Sequence, residues 1–314
     1  MGIFVSRKIT GVDIGTDTIK AVQITSGLTG FKVTGFVKRK RSKEVSQDSV
    51  TILSREIREM LEDESLEGDM FVSSIPCDSV VIRNLELPFS NINKVRQVIR
   101  FEVEAILPFP LDDILVDFFV VNMKSPDKTD LLVMAAPKEV LKEHLGITRE
   151  AGIESEIVDL DSTALFYCFK AIEDGKREGT SSIIDIGARK TSITIVRNGV
   201  LQFVRSIPVG GEDITQAISR ELSVDRDTAE ELKKRDGVIL PCHIDPEDTN
   251  METGSTEFTI SKATVDALER LRRDVDLSFS FYESLNPDEK ISEILLTGGT
   301  SKMRNIDKYL QREF

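Results

Sequence analysis

Cysteine and histidine are scarce in this chain, which limits the metal and redox chemistry it can carry. Its 314 residues include three cysteines, Cys77, Cys168 and Cys242, and two histidines, His144 and His243. The cysteines are odd in number and far apart, so they form neither a disulfide framework nor a metal-binding spacing. The histidines have no further ligands near them in sequence, and we expect both to be packed or solvated. The number and spacing of the cysteines favour reduced thiols and a cytoplasmic protein.

Positive charge and long apolar runs are also limited. The formal net charge is −13 at pH 7, which argues against a general nucleic-acid-binding protein because such proteins need a basic face. No apolar run approaches the roughly 20 residues that a membrane-spanning helix needs. The local exception in charge is the basic segment Lys38–Arg41. This segment predicts either a solvated strand end or loop, or a contact with a membrane surface or an acidic partner.

A hairpin with a glycine turn near the amino terminus is the motif around which the chain is organised. A β-branched run reaches Asp13, turns through Gly15, Thr16 and Asp17, and resumes as a strand from Thr18. Such a turn presents backbone N–H groups and a threonine hydroxyl, which are groups that hold phosphate oxygens. Asp13 lies at the mouth of the turn and could hold a hydrated cation such as Mg²⁺ against those phosphates.

The same motif recurs in the second half of the chain. Asp185, Ile186 and Gly187 again end an apolar strand, and a second strand resumes from Thr191. One such tripeptide would mean little, but two in matching hairpins predict duplicated α/β domains that face a shared cleft. A third glycine turn, Thr297–Ser301, follows another apolar strand.

These three glycine segments, in this order, resemble those of the actin-like ATPase superfamily. The segments Phe101–Asp113 and Pro208–Thr215 are similar to those of the PilM family, the actin-like proteins of type IV pilus assembly. The likeness covers nearly the whole chain and extends to the division protein FtsA and the cytoplasmic half of the secretion protein GspL. It implies an α/β, actin-like, ribonuclease H-like duplicated two-lobe ATP-binding fold with an inserted subdomain of the FtsA and PilM type.

The resemblance also implies a division into domains. The first lobe comprises residues 1–79 and 156–178, the inserted subdomain residues 80–155, and the second lobe residues 179–314, with a smaller subdomain at about 213–262. Actin-like proteins normally add a further strand and helix that return to the first lobe. The position of Phe314 therefore predicts a C-terminally truncated chain, whose next segment could enter a membrane.

An amphipathic helix is predicted in the inserted subdomain. Its apolar stripe has helical spacing, and Pro108 stops it because proline lacks the N–H and clashes inside a helix. The stripe consists of Val95, Val98, Ile99, Val103 and Ile106.

ATP or ADP, together with Mg²⁺, are the cofactors that the resemblance implies. Asp13 and Asp185 would hold Mg²⁺ through water. The ammonium of Lys190 and the hydroxyl of Thr191 would contact the β- and γ-phosphates, unless Lys190 is simply a surface lysine in a hairpin. The full set of implied cofactor-binding residues is Asp13, Gly15, Thr16, Asp17, Thr18, Lys20, Asp185, Gly187, Lys190, Thr191, Gly210, Gly211, Glu230, Lys233, Gly298, Gly299 and Thr300.

Glu230 and Lys233 match an acidic and a basic residue that, in actin-like proteins, contact the ribose and the edge of the nucleobase. Without the other motifs, residues three apart with opposite charge would predict only a pair on a helix surface. Their position in the sequence relative to the glycine turns is what favours a contact with the nucleotide over a surface pair.

The implied function is that of an ATP-binding scaffold of type IV pilus assembly, with little or no hydrolysis and no catalytic residue. Its implied location is cytoplasmic, peripheral to the inner membrane through partners. These partners would be the N-terminal tail of a PilN-like membrane protein, other pilus inner-membrane components and a second copy of the chain, with no nucleic acid. Three alternatives stay open: a GspL-like cytoplasmic domain, an FtsA-like polymer, and a small-molecule kinase on the same fold with Asp185 as the base.

Overall fold

The computed structural model describes residues 7–27, 30–42, 49–125, 128–172, 178–244 and 254–314. The strands are β1 Arg7–Ile14, β2 Thr18–Gly27, β3 Gly30–Lys40, β4 Met70–Ile75, β5 Val81–Leu87, β6 Ile114–Ser125, β7 Lys128–Pro137, β8 Ser155–Leu160, β9 Thr180–Ile186, β10 Thr191–Arg197, β11 Val200–Ile207 and β12 Ile291–Thr297. The α-helices are α1 Ser49–Asp63, α2 Ile92–Glu104, α3 Lys138–Glu150, α4 Asp161–Ile172, α5 Gly211–Leu222, α6 Arg226–Asp236, α7 Pro241–Ile244, α8 Thr256–Leu285 and α9 Ile306–Glu313.

The chain divides into two compact units, Met1–Phe169 and Lys170–Phe314. The finer domain boundaries expected from the sequence stay a prediction, and parts of them, such as residues 245–253, lie outside the described residues. No helix in the described ranges is long and apolar enough to cross a membrane.

A five-stranded sheet in the order β3-β2-β1-β4-β8 forms the base of the first unit. β1, β2 and β3 form an antiparallel meander, whereas β4 and β8 run parallel to β1. Helices α1 and α3 pack against one face of this sheet, where Ile19 and Ile57 are fully buried. The apolar residues of α1 recur with helical spacing, so one side of the helix meets the sheet while the other faces solvent.

A smaller antiparallel sheet, in the order β5-β7-β6, carries helix α2 on one face. The side chain of Asn91 caps α2 by accepting hydrogen bonds from the N–H groups of Asn93 and Lys94, at 3.0 and 3.2 Å. The prediction that Ile106 belongs to the apolar stripe of this helix is wrong. α2 ends at Glu104, so Ile106 falls outside its helical period and is 40% exposed.

The second unit repeats the arrangement around its own sheet, in the order β11-β10-β9-β12. β9 pairs antiparallel with β10 and parallel with β12, as β1 pairs with β2 and β4. As a result, Asp13 lies beside Ser74 of β4, and Asp185 lies beside Thr297 of β12. Helices α5 and α8 close the core of this unit.

Of the two outcomes expected for the histidines, packed or solvated, His144 is buried and His243 is partly buried. Nε2 of His144 lies 2.8 Å from the hydroxyl of Ser73 inside the first unit, and Nδ1 of His243 lies 2.6 Å from the hydroxyl of Ser261 in the second. Burial lowers the pKa of both imidazoles. No disulfide joins the three cysteines.

Candidate functional site

The first glycine turn connects β1 to β2 through a tight backbone contact. The N–H of Gly15 donates to the carbonyl oxygen of Thr18 at 3.0 Å, and a Cβ at Gly15 would lie only 2.7 Å from that oxygen. The position therefore accepts glycine alone without a rearrangement. Thr16 is exposed at the tip of the turn, and the carbonyl oxygen of Asp17 accepts the N–H of Arg41 at 2.8 Å, which ties the turn to the end of β3.

Asp13 forms an ion pair with Lys20 across the same hairpin. The ammonium of Lys20 lies 2.7 Å from Oδ2 of Asp13, and both side chains are 43% exposed. The two residues face each other in the register of β1 and β2. Carboxylate oxygens are ligands that Mg²⁺ prefers, but a cation at Oδ2 would have to share that atom with Lys20.

The second glycine turn has the same hydrogen bond as the first. The N–H of Gly187 donates to the carbonyl oxygen of Lys190 at 2.9 Å, which matches the Gly15–Thr18 bond. Lys190 is partly exposed. In the second unit the residue opposite the aspartate is Ser192 rather than a lysine, so the two hairpins agree in backbone and differ in charge.

Thr191, whose hydroxyl the sequence predicts to contact phosphate, forms a hydrogen bond inside the second unit. The side chain is fully buried, and its Oγ1 donates to the carbonyl oxygen of Val209 at 2.8 Å. The hydroxyl is therefore used inside the fold, where Val209, which follows β11, crosses over the first residue of β10. Its contact with a phosphate would require this hydrogen bond to break, and the contact stays a prediction.

The start of helix α5 is joined directly to the second turn. The N–H of Gly211 donates to the carbonyl oxygen of Gly187 at 2.9 Å, and the N–H of Glu212 donates to that of Ala188 at 2.7 Å. Gly210 and Gly211 are both buried, and a Cβ at Gly210 would lie 2.6 Å from the Ala188 carbonyl oxygen. The two glycines thus allow the helix end and the turn to approach closely. Their contact with a nucleotide stays a prediction.

Lys233 links helix α6 to the start of helix α5. Its ammonium donates to the carbonyl oxygen of Gly211 at 2.9 Å, to the hydroxyl of Thr215 at 2.8 Å, and to Oε2 of Glu230 at 2.6 Å. An ammonium has three N–H donors, so these contacts satisfy it completely. Glu230 and Lys233 were predicted to contact a nucleotide, but in this arrangement their polar atoms bind each other and the start of α5.

Thr215 is a residue of this cluster that sequence reasoning missed. Its hydroxyl donates to Oε2 of Glu230 at 2.5 Å and also lies 3.0 Å from the carbonyl oxygen of Gly211. A threonine inside a helix commonly bonds the carbonyl four residues earlier, and that spacing was the available signal. The link to Glu230 depends on how α5 and α6 pack, which spacing does not reveal.

The third glycine turn completes the site at the end of β12. The hydroxyl of Thr300 donates to the carbonyl oxygen of Gly187 at 3.0 Å, and a Cβ at Gly211 would lie 2.5 Å from that hydroxyl. Gly298 has a φ of +92°, whereas Gly299 has a φ of −67° and open space around the position of a Cβ. Within the second unit, the predicted positions Gly187, Gly211, Lys233 and Thr300 therefore lie together, with Gly299 at an open edge.

The charge of Glu230 is strongly stabilised. Burial by itself would raise the pKa of Glu230, but hydrogen bonds from Lys233 and Thr215, the charge of Lys233 and a bond from Lys234 outweigh it and lower the pKa from 4.5 to about 2. A carboxyl whose pKa is lowered by folding stabilises the folded state above its unfolded pKa. That contribution is lost as the pH falls from about 4.5 to about 2.

We expect the substitution Glu230→Gln to expose this pH dependence. Above pH 5 the variant should be less stable than the parent chain by on the order of 3 kcal/mol, and the difference should shrink as the pH approaches 2, where Glu230 becomes neutral. Urea unfolding followed by circular dichroism at several pH values measures it. Glu231→Gln, an exposed neighbour on α6, is the matched control and should show no such dependence. A difference that stays constant down to pH 2 would contradict the expectation.

No group of three or more histidine, cysteine, aspartate or glutamate side chains in the described ranges is arranged to hold a metal ion. The Mg²⁺ role expected of Asp13 in the first unit and of Asp185 in the second stays a prediction.

Two family models match this chain. A model described as type IV pilus assembly protein PilM matches residues 11–247, and a model described as cell division protein FtsA matches residues 182–314. Cell division protein FtsA of Streptococcus pneumoniae is 31% identical over 110 residues, which make up 35% of this chain and only 24% of that protein. The chain thus matches less than two thirds of the length of this relative.

Solved structures share the fold. The structure described as the PilM-PilN type IV pilus biogenesis complex has a TM-score of 0.81 at 23% identity and covers 97% of this chain and 85% of that chain. MreB 5 of Spiroplasma citri bound to AMPPNP has a TM-score of 0.54 at 14% identity, with 98% and 89% covered. Together with the sheets described above, these likenesses confirm the predicted α/β, actin-like fold.

Proposed function

The chain belongs to the family of type IV pilus assembly proteins PilM, and on this premise we propose that it is an ATP-binding scaffold of pilus assembly. It works at the cytoplasmic face of the inner membrane, to which its partners attach it, and it hydrolyses ATP slowly or not at all. The observation that carries the proposal is the glycine turn that occurs twice with the same backbone bond, from Gly15 to Thr18 and from Gly187 to Lys190.

The residues of the second unit fit a nucleotide at the open edge of the site. Gly299 has no atom within 4 Å of the position of a Cβ, so a ligand can approach its backbone closely. Gly187 and Lys190 lie on the turn that would face phosphate, and Asp185 ends the strand before it. A solved MreB 5 with a similar fold is bound to AMPPNP, which supports the choice of an adenine nucleotide.

In the first unit, Gly15, Thr16, Asp17 and Thr18 would bind phosphate in the same way. Asp13 would bind Mg²⁺ through water in this unit, as Asp185 would in the second unit, and the cation would neutralise phosphate charge. Lys20 would then be shared between Asp13 and a phosphate. Glu230, Lys233, Gly210, Gly211 and Thr300 act by holding the second turn in place.

The partner in this proposal is the N-terminal tail of a PilN-like membrane protein. β6 is an edge strand of the smaller sheet, so an extended tail can add to it through main-chain hydrogen bonds. Leu115 of β6 and Tyr167 of α4 are 55% and 50% exposed, and the ring of Tyr167 lies 6.2 Å from that of Phe119 of β6. These side chains offer an apolar surface beside the strand.

The charge near Tyr167 indicates what kind of tail fits. Burial, and then the carboxylates of Asp159 and Asp117, raise the pKa of the Tyr167 hydroxyl. Two carboxylates beside an apolar surface favour a peptide that carries both apolar and basic residues. The structure described as a PilM-PilN complex supports a PilN-like protein as the source of that peptide.

Binding of a synthetic PilN-type N-terminal peptide to the whole chain tests this partner. We expect Tyr167→Ala with Leu115→Ser to weaken binding at least about tenfold, because buried aromatic anchors dominate such interfaces. Leu277→Ser, at an exposed apolar residue of α8, is the matched control and should bind like the parent chain. Equal affinity for the parent chain and the Tyr167 variant would contradict the assignment.

A second candidate is a scaffold that assembles with further copies of itself. It is favoured by the FtsA model, which matches residues 182–314. Light scattering after addition of ATP and Mg²⁺ separates the two candidates. A steady rise would favour the polymer, and an unchanged signal the PilN-binding scaffold.

A further inference from the structure

One face of strand β3 combines exposed apolar and basic side chains. We call it the β3 face and define it by Phe31, Val33, Phe36, Lys38 and Lys40. In the register with β2, these residues lie opposite Ser26, Ile24, Val22, Lys20 and Thr18, and an irregularity near Ile24 keeps Val33 and Phe36 on the same side.

The face lies opposite the core of the first unit. Helices α1 and α3 pack against the other side of the sheet, where Ile19, Ala21 and Val37 are buried. On the β3 face, by contrast, Phe31, Val33 and Phe36 are 63%, 56% and 60% exposed. β3 is also the edge strand of its sheet. Three large apolar side chains exposed side by side mark an interaction surface rather than isolated surface residues.

The charge of this stretch is opposite to that of the chain. Residues 30–42 contain five lysines and arginines and no acidic residue, although the whole chain has a net charge of −13. Arg39 turns to the other side and pairs with Asp63 at 2.6 Å, whereas Lys38 and Lys40 are exposed beside the phenylalanines. The surface therefore fits a partner that is negative and apolar at once.

We propose that the β3 face binds an anionic membrane surface. Its phenylalanines and lysines project from the same side of the sheet, so a flat bilayer can contact them together. Phe side chains would enter the boundary between headgroups and acyl chains, and the lysines would contact anionic headgroups.

Two protein partners fit the face less well. A peptide that added to the open edge of β3 would run alongside the strand and contact the margins of these side chains only. A second copy of the chain would offer a β3 face with the same basic residues and no acidic residue of residues 30–42 to pair with Lys38 and Lys40. The combination of exposed apolar side chains and basic charge on one face thus favours the membrane surface.

Sedimentation of the whole chain with lipid vesicles tests the proposal. We expect binding to phosphatidylcholine vesicles that contain about 30% phosphatidylglycerol and weak binding to phosphatidylcholine alone. Each lysine near an anionic surface contributes about fivefold in affinity, so Lys38→Glu with Lys40→Glu should lower binding at least about 25-fold. Phe31→Ser with Phe36→Ser should lower it at least about tenfold, because the apolar area that enters the bilayer is lost.

Matched controls separate the β3 face from charge in general. Lys262→Glu with Lys308→Glu makes the same change in net charge at exposed sites of the second unit and should bind like the parent chain. Circular dichroism of every variant shows whether it is folded. Absent binding to anionic vesicles, or equal binding by parent and Lys38/Lys40 variant, would overturn the proposal. Binding of an acidic peptide or self-association through this face, without vesicle binding, would overturn it in favour of a protein partner.

Discussion

Alanine in place of Gly298 is expected to lower the free energy of unfolding of the second unit by about 3 kcal/mol or more. Gly298 has a φ of +92°, and an L residue in the left-handed region is strained by roughly 1–2 kcal/mol. A Cβ there would also overlap the carbonyl oxygen of Ile186 and lie 2.5 Å from Oδ1 of Asp185. Displacing these two groups adds about 1–3 kcal/mol.

Gly299→Ala is the matched control, since the two glycines are adjacent. Gly299 has a φ of −67° and a ψ of −38°, which any residue adopts, and nothing lies within 4 Å of its Cβ position. Its replacement should change the free energy of unfolding by less than about 0.5 kcal/mol. Urea unfolding followed by circular dichroism, with hydrogen exchange of β9 and β12, measures both variants. Equal destabilisation by the two alanines would contradict the described backbone.

Methionine in place of Lys233 is the second change with a large expected effect. Lys233 and Lys234 both pair with Glu230, but their side chains are 12% and 56% exposed. Removing one partner of a buried ion pair leaves a buried charge and costs about 3 kcal/mol. Lys233→Met also leaves the Gly211 carbonyl oxygen without its ammonium donor. Lys234→Met should cost less than about 1 kcal/mol, because exposed ion pairs contribute little.

The double variant Glu230→Met with Lys233→Met should recover most of the stability lost in Lys233→Met. Replacing both partners removes the buried charge, and apolar pairs of similar volume often substitute for ion pairs without loss. Urea unfolding of the three variants gives the comparison. A double variant less stable than Lys233→Met would show that the Glu230 carboxylate supports the fold through Thr215 and Lys234 more than through Lys233.

The hairpins and glycine turns could be predicted from the sequence because their signals are local. The alternation of β-branched residues and the Asp-Ile-Gly tripeptide at Asp13 and again at Asp185 defined the strands and their turns. The recurrence of this tripeptide also predicted the second unit. The structure then supplied the matching backbone bonds within each turn.

Contacts between distant segments were what the sequence did not reveal. Thr191 begins a strand, but the sequence does not reveal that its hydroxyl donates to the carbonyl oxygen of Val209. The spacing of Glu230 and Lys233 predicts a pair on one helix, but the bond from Lys233 to Gly211 depends on the packing of α5 and α6. Such contacts arise from tertiary structure, so the supporting part of the site was less predictable than its glycines.

The β3 face shows the same limit. Alternation from Phe31 to Val37 predicts a strand, and alternation alone assigns neither side to the core. Helix α1 packs on the side of Val37, which leaves Phe31, Val33 and Phe36 exposed. For the basic segment Lys38–Arg41, the sequence left open a solvated strand end or loop and a contact with a membrane surface or an acidic partner. In the structure this segment lies at the end of an exposed apolar surface.

Calorimetric titration of ATP with Mg²⁺ into the parent chain and into Gly299→Leu tests the central claim most directly. Leucine fits the open space at Gly299 without strain, so the variant should unfold like the parent chain. If a nucleotide lies over Gly299, the variant should lose at least about 100-fold in affinity, because the side chain fills the ligand's place. The predicted result is that the parent chain binds ATP and that Gly299→Leu abolishes this binding. Absence of ATP binding by the parent chain, or equal affinity in both, would contradict the nucleotide site.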